Sequence, residues 1–170
     1  MEAQETAQPQ APVIEVDQAS VEKTVKYHTW ASAAMGIVPL PLVDVVGVTA
    51  IQLNMLRKLS KYYSIPFSKN VVKNVLGSLL GAVVPTGAGL PLASAAKAVP
   101  VIGTAAGVVT LPILAAASTY AVAKVFIQHF ASGGTFLTFD PEKVKDYYAA
   151  MFKEGQHVAS DLKAEPAAEA

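Results

Sequence analysis

Residues 74–123 read NVLGSLLGAVVPTGAGLPLASAAKAVPVIGTAAGVVTLPILAAASTYAVA, which is the longest nearly uncharged stretch of the sequence. Lys97 is the single charged residue between Lys73 and Lys124, so uncharged runs of 23 residues (74–96) and 26 residues (98–123) follow each other. A helix needs about 20 mostly apolar residues to cross a hydrocarbon core, because every backbone polar group there must be satisfied within the segment. The two runs therefore predict a membrane protein.

Glycines and prolines shape the two runs into one hairpin. Its first helix is predicted to span about 69–84 and to break in the turn-rich stretch VPTGAGLP, residues 84–91. Glycine pairs at i, i+4 let helix backbones approach closely in lipid, so four residues are predicted to pack helices together: Gly77, Gly81, Gly103 and Gly107. The alternative is that these small residues fill crowded positions in a soluble helical core. Because the second run is only marginally hydrophobic, its insertion is expected to depend on its hairpin partner or on self-association.

Capping signals predict helices on both sides of the hairpin. Asp17 is a predicted N-cap of a first helix, on one face of which fall Val21, Val25, His28, Ala31 and Met35. Pro41 suits the first position of a second helix over 41–63. Asp140 and Pro141 open a last amphipathic helix, which is expected to fade after about Phe152. The predicted fold class is all-α: a helical membrane-associated domain over 17–152, with disordered tails at 1–16 and 153–170.

A basic, aromatic-containing segment, residues 57–73, links the second helix to the hairpin. It holds five basic and no acidic residues, which is typical of a cytoplasmic loop against an anionic bilayer surface. Together with the exit of the hairpin it predicts a set of membrane-interface residues: Arg57, Lys58, Lys61, Tyr62, Tyr63, Lys69, Lys73, Lys124 and Phe126. A solvated loop between soluble helices is the alternative. If the segment lies at a membrane interface, both termini are predicted to lie on the cytoplasmic side of a bacterial inner membrane.

Two polar residues within the apolar part of the second helix are candidate intramembrane groups. Asp44 follows Pro41, where a carboxylate also stabilises a helix N-terminus without any further role. Gln52 could form hydrogen bonds between helices, or it could lie on a helix face turned to water. The sequence leaves both alternatives open.

Composition removes several classes of function. The 170 residues contain no cysteine, and the formal net charge is zero, so disulfides and thiolate metal sites are excluded and nucleic acid is not an expected partner. The three histidines are widely separated, and no nucleophile or metalloprotease motif is present. We therefore expect no catalytic residues, no metal and no cofactor.

Three stretches carry a family resemblance: VEKTVKYHTWASAAMGIVPLPLVDVVGVTAIQLNMLRKLSKYYSIPFS, VPVIGTAAG and TYAVAKVFIQHFASGGTFLTFDPEKVKDYY. They resemble the YcjF-like bacterial family, known as domain of unknown function six-nine-seven, and the likeness covers about residues 17–152. The resemblance implies a helical, membrane-associated domain, often found behind an Era-like GTPase domain or as a free-standing protein. This chain lacks the GxxxxGK[ST] phosphate-binding loop, so any GTPase must be a separate chain.

These observations favour a non-enzymatic membrane-anchored scaffold or adaptor. Its expected partners are the lipid bilayer, further copies of itself and a GTPase in trans. The alternatives are a membrane-remodelling or pore-like module with a reversibly inserting hairpin, and a soluble helical binding domain.

Overall fold

The computed structural model describes residues 15–37, 41–83 and 104–164, and it describes the side chains of 15–37, 46–82 and 111–161. The regular structure of these residues is helical, which confirms the predicted all-α class. The described residues form five helices, in this order: α1 (Gln18–Met35), α2 (Pro41–Tyr62), α3 (Lys69–Val83), α4 (Thr104–Ala131) and α5 (Pro141–Ala164). The predicted tail at 1–14, the hairpin turn, Lys97 and Gly103 lie outside the described residues.

The helix boundaries follow the capping signals. The side chain of Asp17 accepts a hydrogen bond from the Ser20 backbone N–H at 3.2 Å, which satisfies a free donor of the first turn of α1. Asp140 Oδ1 accepts from the Glu142 N–H at 3.1 Å, and Pro141 is the first residue of α5. Gly133 ends the turn after α4 at a φ of +81°, a conformation that glycine adopts without steric cost.

Helix α4 is the centre of the bundle and packs against α1, α2 and α5. Its alanine-rich middle lets neighbours approach closely, because a Cβ added at Gly155 of α5 would lie 2.9 Å from Ala117 Cα. Its C-terminal part contributes Phe126 and Phe130 to an aromatic cluster that Phe136 and Phe139 complete. Burial on most sides explains why α4 is almost uniformly apolar.

Helices α1 and α2 lie on α4 in opposite directions. Ser32 of α1 contacts Thr119, and Gly36 at the end of α1 approaches the Pro112 backbone, so α1 runs antiparallel to α4. Gln52 of α2 contacts Thr119 while Tyr63 meets Phe130, so α2 runs parallel to α4. The turn after α2 brings Phe67 against Phe136, and α3 starts from that same end of the bundle.

The last helix is longer than predicted. It continues to Ala164, so the expected disordered tail from 153 is corrected for residues 153–164. The reason is tertiary: Gly155 packs on Ala117, Ala159 is buried, and Val158 packs against the core. These contacts involve residues distant in sequence, and the local pattern after Phe152 gives no sign of them.

Candidate membrane-facing end and buried polar layer

Five polar side chains from four helices form a hydrogen-bonded layer across the bundle, which we call the polar layer: Ser32, Gln52, Ser118, Thr119 and Tyr148. Ser32 Oγ and Thr119 Oγ1 lie 2.7 Å apart. Gln52 Nε2 donates to Thr119 Oγ1 at 3.2 Å and to Ser118 Oγ at 3.3 Å. Ser118 Oγ in turn lies 3.1 Å from the Tyr148 hydroxyl, whose pKa is raised by burial. The layer thus links α1, α2, α4 and α5 at one level.

Gln52 lies in the protein interior with 1% of its surface exposed, so the interhelical alternative is the one the structure shows. Its Oε1 atom is buried and has no hydrogen-bond partner among the described residues. For Asp44 the structure describes only the backbone, which lies in the first turn of α2. That position suits the helix-capping interpretation.

In helices α1 to α4, almost all charged residues lie on one side of the polar layer, and the segments on the other side are almost uncharged. On one side of the polar layer lie Lys23 and Lys26 of α1, the basic end of α2, the start of α3, and Lys124. On the other side, which we call the uncharged end, lie residues 33–37 at and just beyond the end of α1, 41–51 of α2 and 104–117 of α4. Asp44 is the only charged residue in those three segments. Helix α5 is charged along its length and crosses α4 near Ala117 and Tyr120.

The uncharged end exposes large apolar side chains. Four of the seven exposed large hydrophobic residues in the described part of the chain lie there: Ile37 (64% exposed), Val46 (69%), Leu111 (48%) and Leu114 (36%). A cluster of this kind at one end of a bundle marks a surface that contacts apolar material. The described ends of α1 and α2, at Ile37 and Pro41, and the N-terminus of α4 lie at this end.

The predicted interface residues divide into two groups. Five basic residues are exposed at the charged end, as an interface requires: Arg57, Lys58, Lys61, Lys69 and Lys73. Lys124 is half-buried, with Nζ 5.2 Å from the centre of the Tyr120 ring. Tyr62 is also half-buried, and its hydroxyl forms a hydrogen bond with Thr24 Oγ1 at 3.1 Å. Tyr63 (5% exposed) and Phe126 (0%) face the core, so the structure removes these two from the set available to headgroups.

The exposed aromatic residues are instead Tyr27 (64% exposed) and Trp30 (47%) of α1. Neither residue belongs to the interface set predicted from the sequence. Their signal was present in the heptad-like spacing of Lys23, Tyr27 and Trp30, which places all three on the helix face opposite Val21 and Val25.

Two of the four predicted packing glycines, Gly77 and Gly81, are not at a contact with another helix among the described residues. Gly77 and Gly81 lie on the exposed face of α3, with open space where a Cβ would be built. Gly107 lies in α4, where the structure describes the backbone alone. Among the described glycines, Gly36 and Gly155 lie against the backbone of another helix, where an added Cβ atom would come within 2.8–3.1 Å of its neighbours. Gly47 of α2 lies against the flexible side chain of Met35 in α1.

A cavity of ≈ 680 Å³ lies between α1, α4 and α5 on the charged side of the polar layer. Val21, Val25, Ile127 and Val158 contribute to its mainly apolar lining. The hydroxyl of Thr29, which also lines it, is buried and has no hydrogen-bond partner in the part of the chain that the structure describes. Its volume lies in the range of small-molecule sites, about 300–1,000 Å³.

One helical segment in the described part of the chain, Leu111–Ala131, has the length and apolar composition of a membrane span. Half of its most apolar window is buried inside the protein, as it would be in the core helix of a soluble bundle. This segment alone is therefore weak evidence for a crossing. The same described residues contain no group of three or more His, Asp or Glu side chains that could hold a metal.

Comparisons with known proteins agree with the sequence resemblance. The family model described as "Domain of unknown function (DUF697)" matches residues 3–157. Magnetosome membrane protein 22 of Magnetospirillum gryphiswaldense is 40% identical over 144 residues, which cover 84% of this chain and 74% of that relative. No solved structure matches the chain.

Proposed function

This chain belongs to the DUF697 family, and on that premise we propose that it is a non-enzymatic, membrane-anchored scaffold that inserts its uncharged end into a lipid bilayer. The observation that carries the proposal is the separation of charge along the bundle, combined with the exposure of Ile37, Val46, Leu111 and Leu114 at the uncharged end. In water these four apolar side chains are partly uncovered. In a bilayer the same surface is buried, which contributes about 25 cal/mol for each Å² removed from water.

The depth of the uncharged end suits insertion. Along α4, Thr119 of the polar layer and Thr104 are 15 residues apart, or about 22 Å at 1.5 Å per residue. A hydrocarbon core is about 30 Å thick, so the described part of α4 beyond the polar layer reaches past the bilayer centre. The name of the 40% identical relative, a magnetosome membrane protein, supports a membrane location for this chain.

The orientation we propose is a bacterial inner membrane with both termini in the cytoplasm. Helix α1 begins at the charged end, and α5 carries charges throughout, so the first and last described helices both favour the aqueous side. The exposed basic residues of α2 and α3 lie at that end too, as expected for a cytoplasmic surface.

On the cytoplasmic side we propose that the scaffold assembles copies of itself or recruits a partner, such as a GTPase supplied by another chain. The support is the family resemblance together with the exposed, charged outer face of α5, which no other described element covers. The half-buried state of α4 and the ≈ 680 Å³ cavity favour a second candidate, a soluble helical binding domain.

Flotation with vesicles separates the two candidates. The full chain, synthesised without cells in the presence of phosphatidylethanolamine and phosphatidylglycerol vesicles, should float with them. The variant Leu111→Asp/Leu114→Asp should lose most of this binding, because a carboxylate in the hydrocarbon costs up to about 3 kcal/mol per residue. Both leucines are exposed, so the bundle itself tolerates the change.

The matched control, Gln128→Asp/Leu137→Asp, adds the same charge at exposed positions of the opposite end and should float like the wild type. Equal flotation of both variants would contradict insertion through the uncharged end. A wild-type chain that stays with the soluble fraction would support the soluble binding domain instead.

A further inference from the structure

We infer that an exposed stripe of α1 sits at the bilayer surface, with phospholipid headgroups as its partner, and sets how deeply the domain inserts. We call Lys23, Tyr27, Trp30, Ala34 and Ile37 the anchor stripe. The inference rests on the membrane anchoring proposed above and adds the position of the water boundary.

The anchor stripe is one continuous face. Its members follow each other at intervals of four, three, four and three residues, which places them along one side of a helix and just beyond its end. Each is exposed, whereas the opposite side of α1 is buried against the bundle: Val21, Thr24, Val25, His28, Thr29 and Ser32. The stripe is therefore free to contact something outside the chain.

The chemistry of the stripe changes in the order of a membrane interface. A lysine comes first, then tyrosine and tryptophan, then alanine and isoleucine, so polarity falls steadily toward the uncharged end. Tyrosine and tryptophan prefer the headgroup level, because one part of each ring system is apolar and another forms hydrogen bonds. Lysine on the water side can reach the phosphate groups.

Tyr27 and Trp30 lie near the height of the polar layer, where the charged side of the bundle gives way to the uncharged end. Trp30 lies two residues before Ser32, which contacts Thr119 in the polar layer. The charged residues of α1 lie before Tyr27, and none follows within the described part of the helix. The aromatic pair therefore marks the height at which the charged surface ends.

Basic side chains lie near the Lys23–Tyr27 part of the anchor stripe. Lys58 Nζ lies 5.5 Å from the centre of the Tyr27 ring, and Lys26 and Arg57 are exposed nearby in sequence. Each basic residue near an anionic membrane surface contributes about 1 kcal/mol. An anionic lipid headgroup matches this combination of lysines and amphipathic rings better than an apolar protein surface does.

Trp30 is the only tryptophan of the chain and serves as its own reporter. We would measure its fluorescence in the full chain floated with phosphatidylethanolamine and phosphatidylglycerol vesicles. The vesicle lipids would carry bromine either near the carbonyl end or near the methyl end of the acyl chain. We expect a blue shift on membrane binding and stronger quenching by bromine near the carbonyl end.

Two further reporters bracket this position. In Trp30→Phe/Ile37→Trp the reporter lies about 10 Å deeper along the helix, so bromine near the methyl end should quench it more strongly than it quenches Trp30. In Trp30→Phe/Leu137→Trp the reporter lies at the charged end and should stay unquenched.

Failure of this inference differs from failure of the anchoring itself. Suppose that the chain floats, but the emission of Trp30 is unchanged and unquenched, or bromine near the methyl end quenches it best. Either result would overturn the proposed depth of Trp30 and would leave the membrane anchoring intact. A chain that does not float would overturn both. Shielding of Trp30 in floated chains without any bromine quenching would show that the stripe contacts protein, which also refutes the inference.

Discussion

His28 is a buried titratable side chain on the inner face of α1, with 2% of its surface exposed. Its Nδ1 atom lies 2.7 Å from the Thr24 carbonyl oxygen, and because that oxygen only accepts, Nδ1 is the protonated nitrogen. Burial lowers the pKa of His28 from its ordinary value of 6.5, and the charge of Lys58 acts in the same direction. The fold therefore prefers the neutral ring.

This preference makes stability depend on pH. Below 6.5 the unfolded chain takes up a proton that the folded chain refuses, so the free energy of unfolding should fall as pH decreases from neutrality toward the lowered pKa. Thermal unfolding in detergent, followed by circular dichroism between about pH 7.5 and 5.5, would measure the slope. His28→Gln should flatten it and the exposed His157→Gln should not; equal slopes in all three proteins would contradict the assignment.

At the residue scale, sequence identifies candidates and tertiary packing decides among them. Gln52 was equally compatible with water and with the interior, and contacts with Ser118 and Thr119, 66 and 67 residues away, place it inside. Tyr63 and Phe126 carry the same aromatic character as Tyr27 and Trp30. Only the path of the neighbouring helices determines which pair is buried and which is exposed.

At the scale of single helices, local signals predict most boundaries. The predicted spans 41–63 and 69–84 correspond to Pro41–Tyr62 and Lys69–Val83, since proline and capping residues act through their immediate neighbours. The end of α5 is different. Its last turns are held by the contact of Gly155 with Ala117, which the residues near Gly155 in sequence do not predict.

Close helix contacts at glycine give a direct test of the packing. An added methyl group at Gly36 would lie 2.8 Å from Pro112 Cα and 2.9 Å from Pro112 N, and backbone atoms cannot move aside like the end of a side chain. We expect Gly36→Ala to lower the free energy of unfolding by about 1–3 kcal/mol. Thermal or denaturant unfolding in detergent would measure the change.

Gly77→Ala is the matched control, because its added methyl group meets nothing within 4 Å and alanine favours the helix by up to about 1 kcal/mol. It should be neutral or stabilising. A stable Gly36→Ala protein would show that α1 and α4 are not in the contact described.

Loss of self-association in Gly77→Ala, measured by sedimentation, would instead support packing of α3 against a second copy.

At the scale of the whole molecule, the membrane assignment rests on how charge is distributed in three dimensions. The two uncharged runs on either side of Lys97, 74–96 and 98–123, predict a bilayer by their length alone. The structure adds that the end of α1 contacts α4 through Gly36 on Pro112 and contacts α2 through Met35 on Gly47, all at one end of the bundle. The uncharged surface is thus shared by several helices, a property that no single segment of sequence contains.

The most direct test of this arrangement is the accessibility of two single cysteines, which this cysteine-free chain permits. Val46→Cys places a thiol on the exposed face of α2 at the uncharged end, and Ser68→Cys places one at the exposed start of α3 at the charged end. In unsealed membranes, a water-soluble maleimide should label Ser68→Cys at once and Val46→Cys only after detergent is added. Equal labelling of both thiols before detergent would contradict insertion of the uncharged end.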